Sequence, residues 1–105
     1  MENFGLPERT IKDLYNYFLK KNDIKKVIIF GSRAKGTYRN GSDIDFAILT
    51  KNNKTFYKIA GELDDLPTPY KFDIINYSTL EDCAIKESID KYGKIFYIRK
   101  NDSSI

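Results

Sequence analysis

Gly31-Ser32 is followed, after ten intervening residues, by Asp43-Ile44-Asp45. A Gly-Ser turn leaving an apolar run offers a permissive backbone, a hydroxyl and several N–H groups to a phosphate. Two carboxylates opening a second apolar run suit a divalent metal ion. Together they point to chemistry on a nucleoside triphosphate. Each half also has a plainer reading. Gly-Ser is an ordinary helix-capping turn, and Asp-x-Asp can be an exposed turn followed by an edge-strand carboxylate.

The setting of the carboxylates favours the chemical reading. Asp43 and Asp45 are two apart in a segment that reads as extended, so both side chains share one face while Ile44 and Phe46 take the other. Asp45 lies inside an apolar run, where an unpaired charge is costly. Asp73, framed by Phe72, Ile74 and Ile75, is placed in the same way. If its strand pairs beside Asp43–Leu49, it completes a cluster of three carboxylates; otherwise it is a salt-bridge partner of Lys71 or another surface lysine. Arg33, next to the Gly-Ser turn, is the candidate for a bidentate grip on triphosphate oxygens. Lys35 and Arg39 read as solvated charge.

Composition narrows the chemistry further. The chain has no histidine and one cysteine, which excludes His-dependent triads, histidine bases, cysteine zinc sites and an internal disulfide. A metal site must be built from oxygen, which favours Mg²⁺ or Mn²⁺. The net charge of +3 over 105 residues helps an anionic ligand approach but is not the footprint of a dedicated nucleic-acid binder. The length fits one domain with one modest core. No apolar run is long enough for a membrane span and no signal-peptide pattern is visible, so a cytoplasmic location is expected.

The elements that must position these residues follow from periodicity. Ile11, Leu14, Tyr15, Phe18 and Leu19 mark an amphipathic helix opened by Pro7 in its first turn. Val27-Ile28-Ile29-Phe30 reads as a strand buried on both faces, ended by Gly31. Residues 32–36 suit a short helix, and 37–42 a polar turn with Asn40-Gly41 at its tip. Residues 44–49 form the second strand. Residues 54–65, with Phe56, Ile59, Ala60 and Leu63 in phase, form a helix that Pro67 and Pro69 break. Residues 72–75 form a third strand. Ser78-x-x-Glu81 has the spacing of a capping box, opening a helix that carries Cys83, Ile85, Ile89 and Tyr92 and stops at Gly93. Residues 94–98 add a short last strand, and 101–105 a polar, frayed tail. The order α-β-α-β-α-β-α-β calls for an α+β domain, a single mixed sheet packed with helices. Neither a Walker A lysine motif nor a Gly-x-Gly-x-x-Gly fingerprint occurs, so P-loop and Rossmann readings lack support.

Gly31-Ser32-Arg33-Ala34-x-Gly36 with Ser42-Asp43-Ile44-Asp45 resembles the signature of the DNA polymerase β-like nucleotidyltransferase superfamily, and within it the minimal nucleotidyltransferase (MNT) branch. The similarity of element order covers residues from about 7 to 97 of a single minimal domain, 1–105. The resemblance implies the polymerase β-like fold and a Mg²⁺-dependent mechanism with two ions, in which Mn²⁺ can substitute. It implies that Asp43, Asp45 and Asp73 are catalytic metal ligands, and that Gly31 and Ser32 bind the triphosphate. It also implies ATP as substrate and a helical HEPT-type toxin as partner, silenced by transfer of AMP to a hydroxyl, that of a tyrosine. Two other outcomes stay open: an antitoxin that acts by contact without catalysis, and a stand-alone enzyme acting on a small alcohol. A template-directed polymerase is not expected, because only the catalytic core fits in this length.

Overall fold

The computed structural model describes residues 3–100; the tail expected over 101–105 lies outside the described residues. Helix α1 (Glu8–Lys20) is followed by strand β1 (Ile24–Phe30), short helix α2 (Gly31–Lys35), β2 (Ile44–Thr50), α3 (Asn53–Asp64), β3 (Phe72–Asn76), a 3₁₀ turn (Tyr77–Thr79), α4 (Cys83–Tyr92) and β4 (Lys94–Ile98). The four strands form one mixed sheet in the order β3-β2-β1-β4. β1 runs antiparallel to β2 and to β4, and β2 runs parallel to β3. The parallel pair requires a crossover, which α3 supplies. This is the expected α+β architecture.

The core lies on one face of the sheet. Leu14 and Phe18 of α1 and Ile59 and Leu63 of α3 meet Ile24, Val27 and Ile29 of β1 and Ile44, Phe46 and Ile48 of β2 in one cluster. The Phe18 ring sits at its centre, edge-on to Phe46 and Phe96 at 5.5 and 5.9 Å between centroids, a favoured aromatic geometry. The stripe on α1 is narrower than its sequence pattern. Leu19 is 52% exposed, and Tyr15 lies at the margin with its ring edge-on to Tyr97. Arg99, just beyond β4, closes the C-terminal end of α1 by donating to the carbonyls of Phe18, Leu19 and Lys21, groups that lack helical partners at a helix end.

The second face of the sheet is only partly covered. Residues paired directly across antiparallel strands share a face, and the pairs Phe30–Asp45 and Ile28–Ala47 belong to the side away from the core. Ile28 and Phe30 are half-buried, so β1 is not buried on both faces as its apolar run implied. The reason is the company it keeps, because the carboxylate of Asp45 lies on that side. The start of α4 also differs from expectation. Ser78 falls in the 3₁₀ turn, where the Asn76 side chain accepts from its N–H. The helix begins five residues later, at Cys83, with Asp82 as N-cap accepting from Ile85 N–H. Gly93 does end α4, but in an extended conformation rather than a left-handed one.

Candidate active site

Two peptide segments place the reactive groups at one end of the sheet. The first is the exit from β1. Gly31 adopts φ +71°, a left-handed conformation that disfavours any residue with a Cβ, and it opens α2 directly from the strand. A Cβ on Gly31 would overlap the Asp45 carboxylate. Glycine is therefore required twice over, by the backbone and by the close approach of the carboxylate. Ser32 is half-buried beside it, and its carbonyl accepts from Thr37 N–H at 3.0 Å as α2 ends. Gly36 closes α2 in the left-handed region.

The second segment is the start of β2 and its pairing with β3. Asp45 stands directly opposite Asp73 in the parallel ladder, on strands separated by about 5 Å. The ladder is locked by Ile44 N–H donating to Lys71 O at 2.8 Å. Asp43 precedes β2 and is exposed, as is Asp73; Asp45 is half-buried between them. None of the three carboxylates has a hydrogen-bond or ion-pair partner among the described residues, so Asp73 does not pair with Lys71.

The electrostatics follow from this crowding. Asp45 is pushed up to about 6, first by burial and then by the negative charges of Asp73 and Asp43; the Arg33 charge pulls the other way. A carboxylate held in this way by two others is a site that a cation relieves. Among the described residues no three acidic, cysteine or histidine side chains converge closely enough to form a complete metal cage. Asp43, Asp45 and Asp73 offer only oxygen donors, the chemistry that suits a hard divalent cation.

Arg33 departs from its expected role. Its side chain is 2% exposed, the largest fully buried side chain among the described residues. Nε and Nη2 donate to Ser42 O at 3.2 and 2.8 Å, and Nη1 donates to Phe4 O at 2.9 Å. The guanidinium carbon lies over the rings of Tyr38 and Tyr70, at 5.4 and 5.1 Å from their centroids. A side chain committed inward in this way does not grip a triphosphate. Sequence reasoning missed this because its partners are backbone carbonyls, which no pattern of residue types announces. The two tyrosines were the only signal available.

The family model described as "Polymerase beta, Nucleotidyltransferase" matches residues 12–102. No curated protein matches the chain significantly. Among solved structures, the fold is similar to a chain of a toxin–antitoxin complex with AMP-PNP, at 21% identity and a TM-score of 0.66, covering 90% of this chain and 76% of that one. It is also similar to a chain of the complex of tri-AMPylated Shewanella oneidensis HEPN toxin with MNT antitoxin, at 15% identity and a TM-score of 0.61, covering 89% and 74%. A nucleotidyltransferase-like protein of Sulfolobus solfataricus aligns at 18% identity and a TM-score of 0.51, covering 89% and 78%.

Proposed function

Since the chain belongs to the polymerase β nucleotidyltransferase family, we propose that it moves AMP from ATP to a tyrosine hydroxyl of a helical HEPT-type toxin, and so acts as that toxin's antitoxin in the cytoplasm. The observation that carries the catalytic part is the pairing of Asp45 opposite Asp73, with the Asp45 carboxylate against the Gly31 turn. One strand-to-helix exit and two strand starts thereby meet at a single point. The partner and the nucleotide are supported by the fold neighbours, one solved with AMP-PNP and another with a tri-AMPylated toxin.

In this reading Gly31 and Ser32 hold the triphosphate. The turn brings backbone N–H groups and the Ser32 hydroxyl to the phosphate oxygens, where donors stabilise charge that builds in the transition state. Asp43, Asp45 and Asp73 would hold two Mg²⁺ ions, with Mn²⁺ as a substitute, together with oxygens of the bound triphosphate. When bound, such ions neutralise the triphosphate and lower the pKa of a coordinated hydroxyl. Asp73, on the neighbouring strand and open to solvent, is on the acceptor side and takes the proton of the attacking hydroxyl. The bond made joins the acceptor oxygen to the α-phosphorus, and pyrophosphate leaves.

Incubation with ATP labelled at the α-phosphate, Mg²⁺ and the helical protein encoded beside this chain tests the proposal. It expects label on a tyrosine of that protein and one pyrophosphate released per label. A tight complex that stays unlabelled would replace the enzyme with an antitoxin acting by contact. Label on a small alcohol alone would replace the protein acceptor.

A further inference from the structure

We propose that Arg33 is a positioning residue, a buried clamp that sets the three parts of the nucleotide site at their working separation; this rests on the nucleotidyltransferase reading of that site. A guanidinium taken out of water is expensive unless its donors are satisfied. Among the described residues no carboxylate pairs with it directly. Its donors go to two backbone carbonyls, and it lies over two tyrosine rings. An apolar side chain would fill the same space at lower cost, so the charge and the fork geometry have a use beyond packing.

What the clamp touches shows that use. Arg33 follows the Gly31-Ser32 turn in the chain, so its backbone is fixed to the phosphate-binding end. Two of its donors converge on Ser42 O, the carbonyl of the peptide that leads into Asp43. Tyr38, one of the two rings it touches, belongs to the 37–42 segment that joins the turn to the carboxylates. Tyr70, the second, immediately precedes Lys71, whose carbonyl registers β3 and Asp73 against β2. One planar group therefore spans the segments that deliver Ser32, Asp43 and Asp73. The segment it orders is polar and exposed, with a single local turn in which Arg39 N–H donates to the Ser42 hydroxyl and Ser42 N–H to Arg39 O. Beyond Asp43 the chain is held by the β2 ladder, starting with Ile44 N–H to Lys71 O; on the 37–42 side the guanidinium is the side chain that ties Ser42 O back to the turn. A shift of about 1 Å in a positioned group can cost on the order of 100-fold in rate.

Three variants of the full chain test this. Arg33→Met keeps length and loses every donor, Arg33→Lys keeps charge and loses the fork, and Arg33→Gly leaves room for an added guanidinium. Leu63→Ala, a core variant on α3 on the sheet face opposite Asp45, serves as the control for lost stability. Amide hydrogen exchange without nucleotide should speed up at least about tenfold across residues 37–43 in Arg33→Met and Arg33→Lys, with β1 still protected. Transfer should fall about 100-fold in both but stay near wild type in Leu63→Ala. Ethylguanidinium should restore transfer to Arg33→Gly and do nothing for Leu63→Ala. Unchanged exchange across 37–43, Arg33→Met turnover within about twofold of Leu63→Ala, or Arg33→Gly indifferent to ethylguanidinium would each overturn the clamp. If the wild type transfers nothing, the functional reading fails, and the exchange measurement still decides whether Arg33 orders the segment.

Discussion

Replacing Asp45 by Asn should stabilise the fold above neutral pH while destroying the nucleotide site. The carboxyl is raised from its ordinary 3.8 to about 6 by burial and by its two acidic neighbours. A group raised on folding costs nothing where both states are protonated, below about pH 4. Its cost grows as pH rises and is complete above the folded-state value, so stability is lost with increasing pH. Undiluted, a displacement of this size corresponds to about 3 kcal/mol. The side chain is only half-buried, and solvent screening reduces the expected penalty to about 1–1.5 kcal/mol. Asn is nearly isosteric and uncharged, so the variant should melt about 4–10 °C higher than wild type at pH 8 in EDTA. The gap should close toward pH 4. Saturating Mg²⁺-ATP should reverse the order, because ligand at 100 times its Kd adds about 2.7 kcal/mol to the wild type and nothing to the variant. Thermal melts of both proteins across pH, with and without Mg²⁺-ATP, measure all of this. An Asn variant less stable than wild type at pH 8 in EDTA, or a gap independent of pH, would refute the electrostatic argument.

Gly31→Ala should lose more than about 1 kcal/mol of stability, seen as a lower melting temperature, because alanine is strained at positive φ and its Cβ meets the Asp45 carboxylate. Adding Asp45→Gly should recover part of the loss, a coupling that a double-mutant cycle reads directly. Ser32→Ala should fold as wild type and transfer about 10²–10³ more slowly; activity within about twofold of wild type would reduce Ser32 to a turn residue. Asp73→Asn should keep much of the Mg²⁺-ATP affinity and lose nearly all transfer in a single-turnover assay, whereas Asp43→Asn should lose both.

The parts of this molecule that were legible in the sequence are those set by short-range rules. Period-two alternation placed Asp45 and Ile44 on opposite faces of β2, and the burial of Ile44 beside a half-buried Asp45 agrees. Gly31 at the end of an apolar run marked the positive φ. The opposition of Asp45 and Asp73 was not fixed by either strand alone. It depends on the parallel register, which the α3 crossover and the Ile44–Lys71 hydrogen bond set. Competing local signals misled at α4, where Ser78-x-x-Glu81 and Asp82 are both sound caps and the 3₁₀ turn at Tyr77–Thr79 decided for the second. Arg33 misled because a charge beside a Gly-Ser turn has a ready outward use. Its inward role needs Phe4, Ser42, Tyr38 and Tyr70 brought together by the fold.

The proposed site requires metal-dependent nucleotide binding by Gly31, Ser32 and the carboxylates. Titration of ATP into the wild type by calorimetry, first in EDTA and then in Mg²⁺ or Mn²⁺, measures it without any partner protein. Three carboxylates facing a triphosphate repel it unless cations intervene. Binding should therefore appear only with the metal and vanish in the Asp43→Asn, Asp45→Asn double variant. ATP binding of equal strength in EDTA, or a double variant that binds Mg²⁺-ATP as tightly as wild type, would contradict the site.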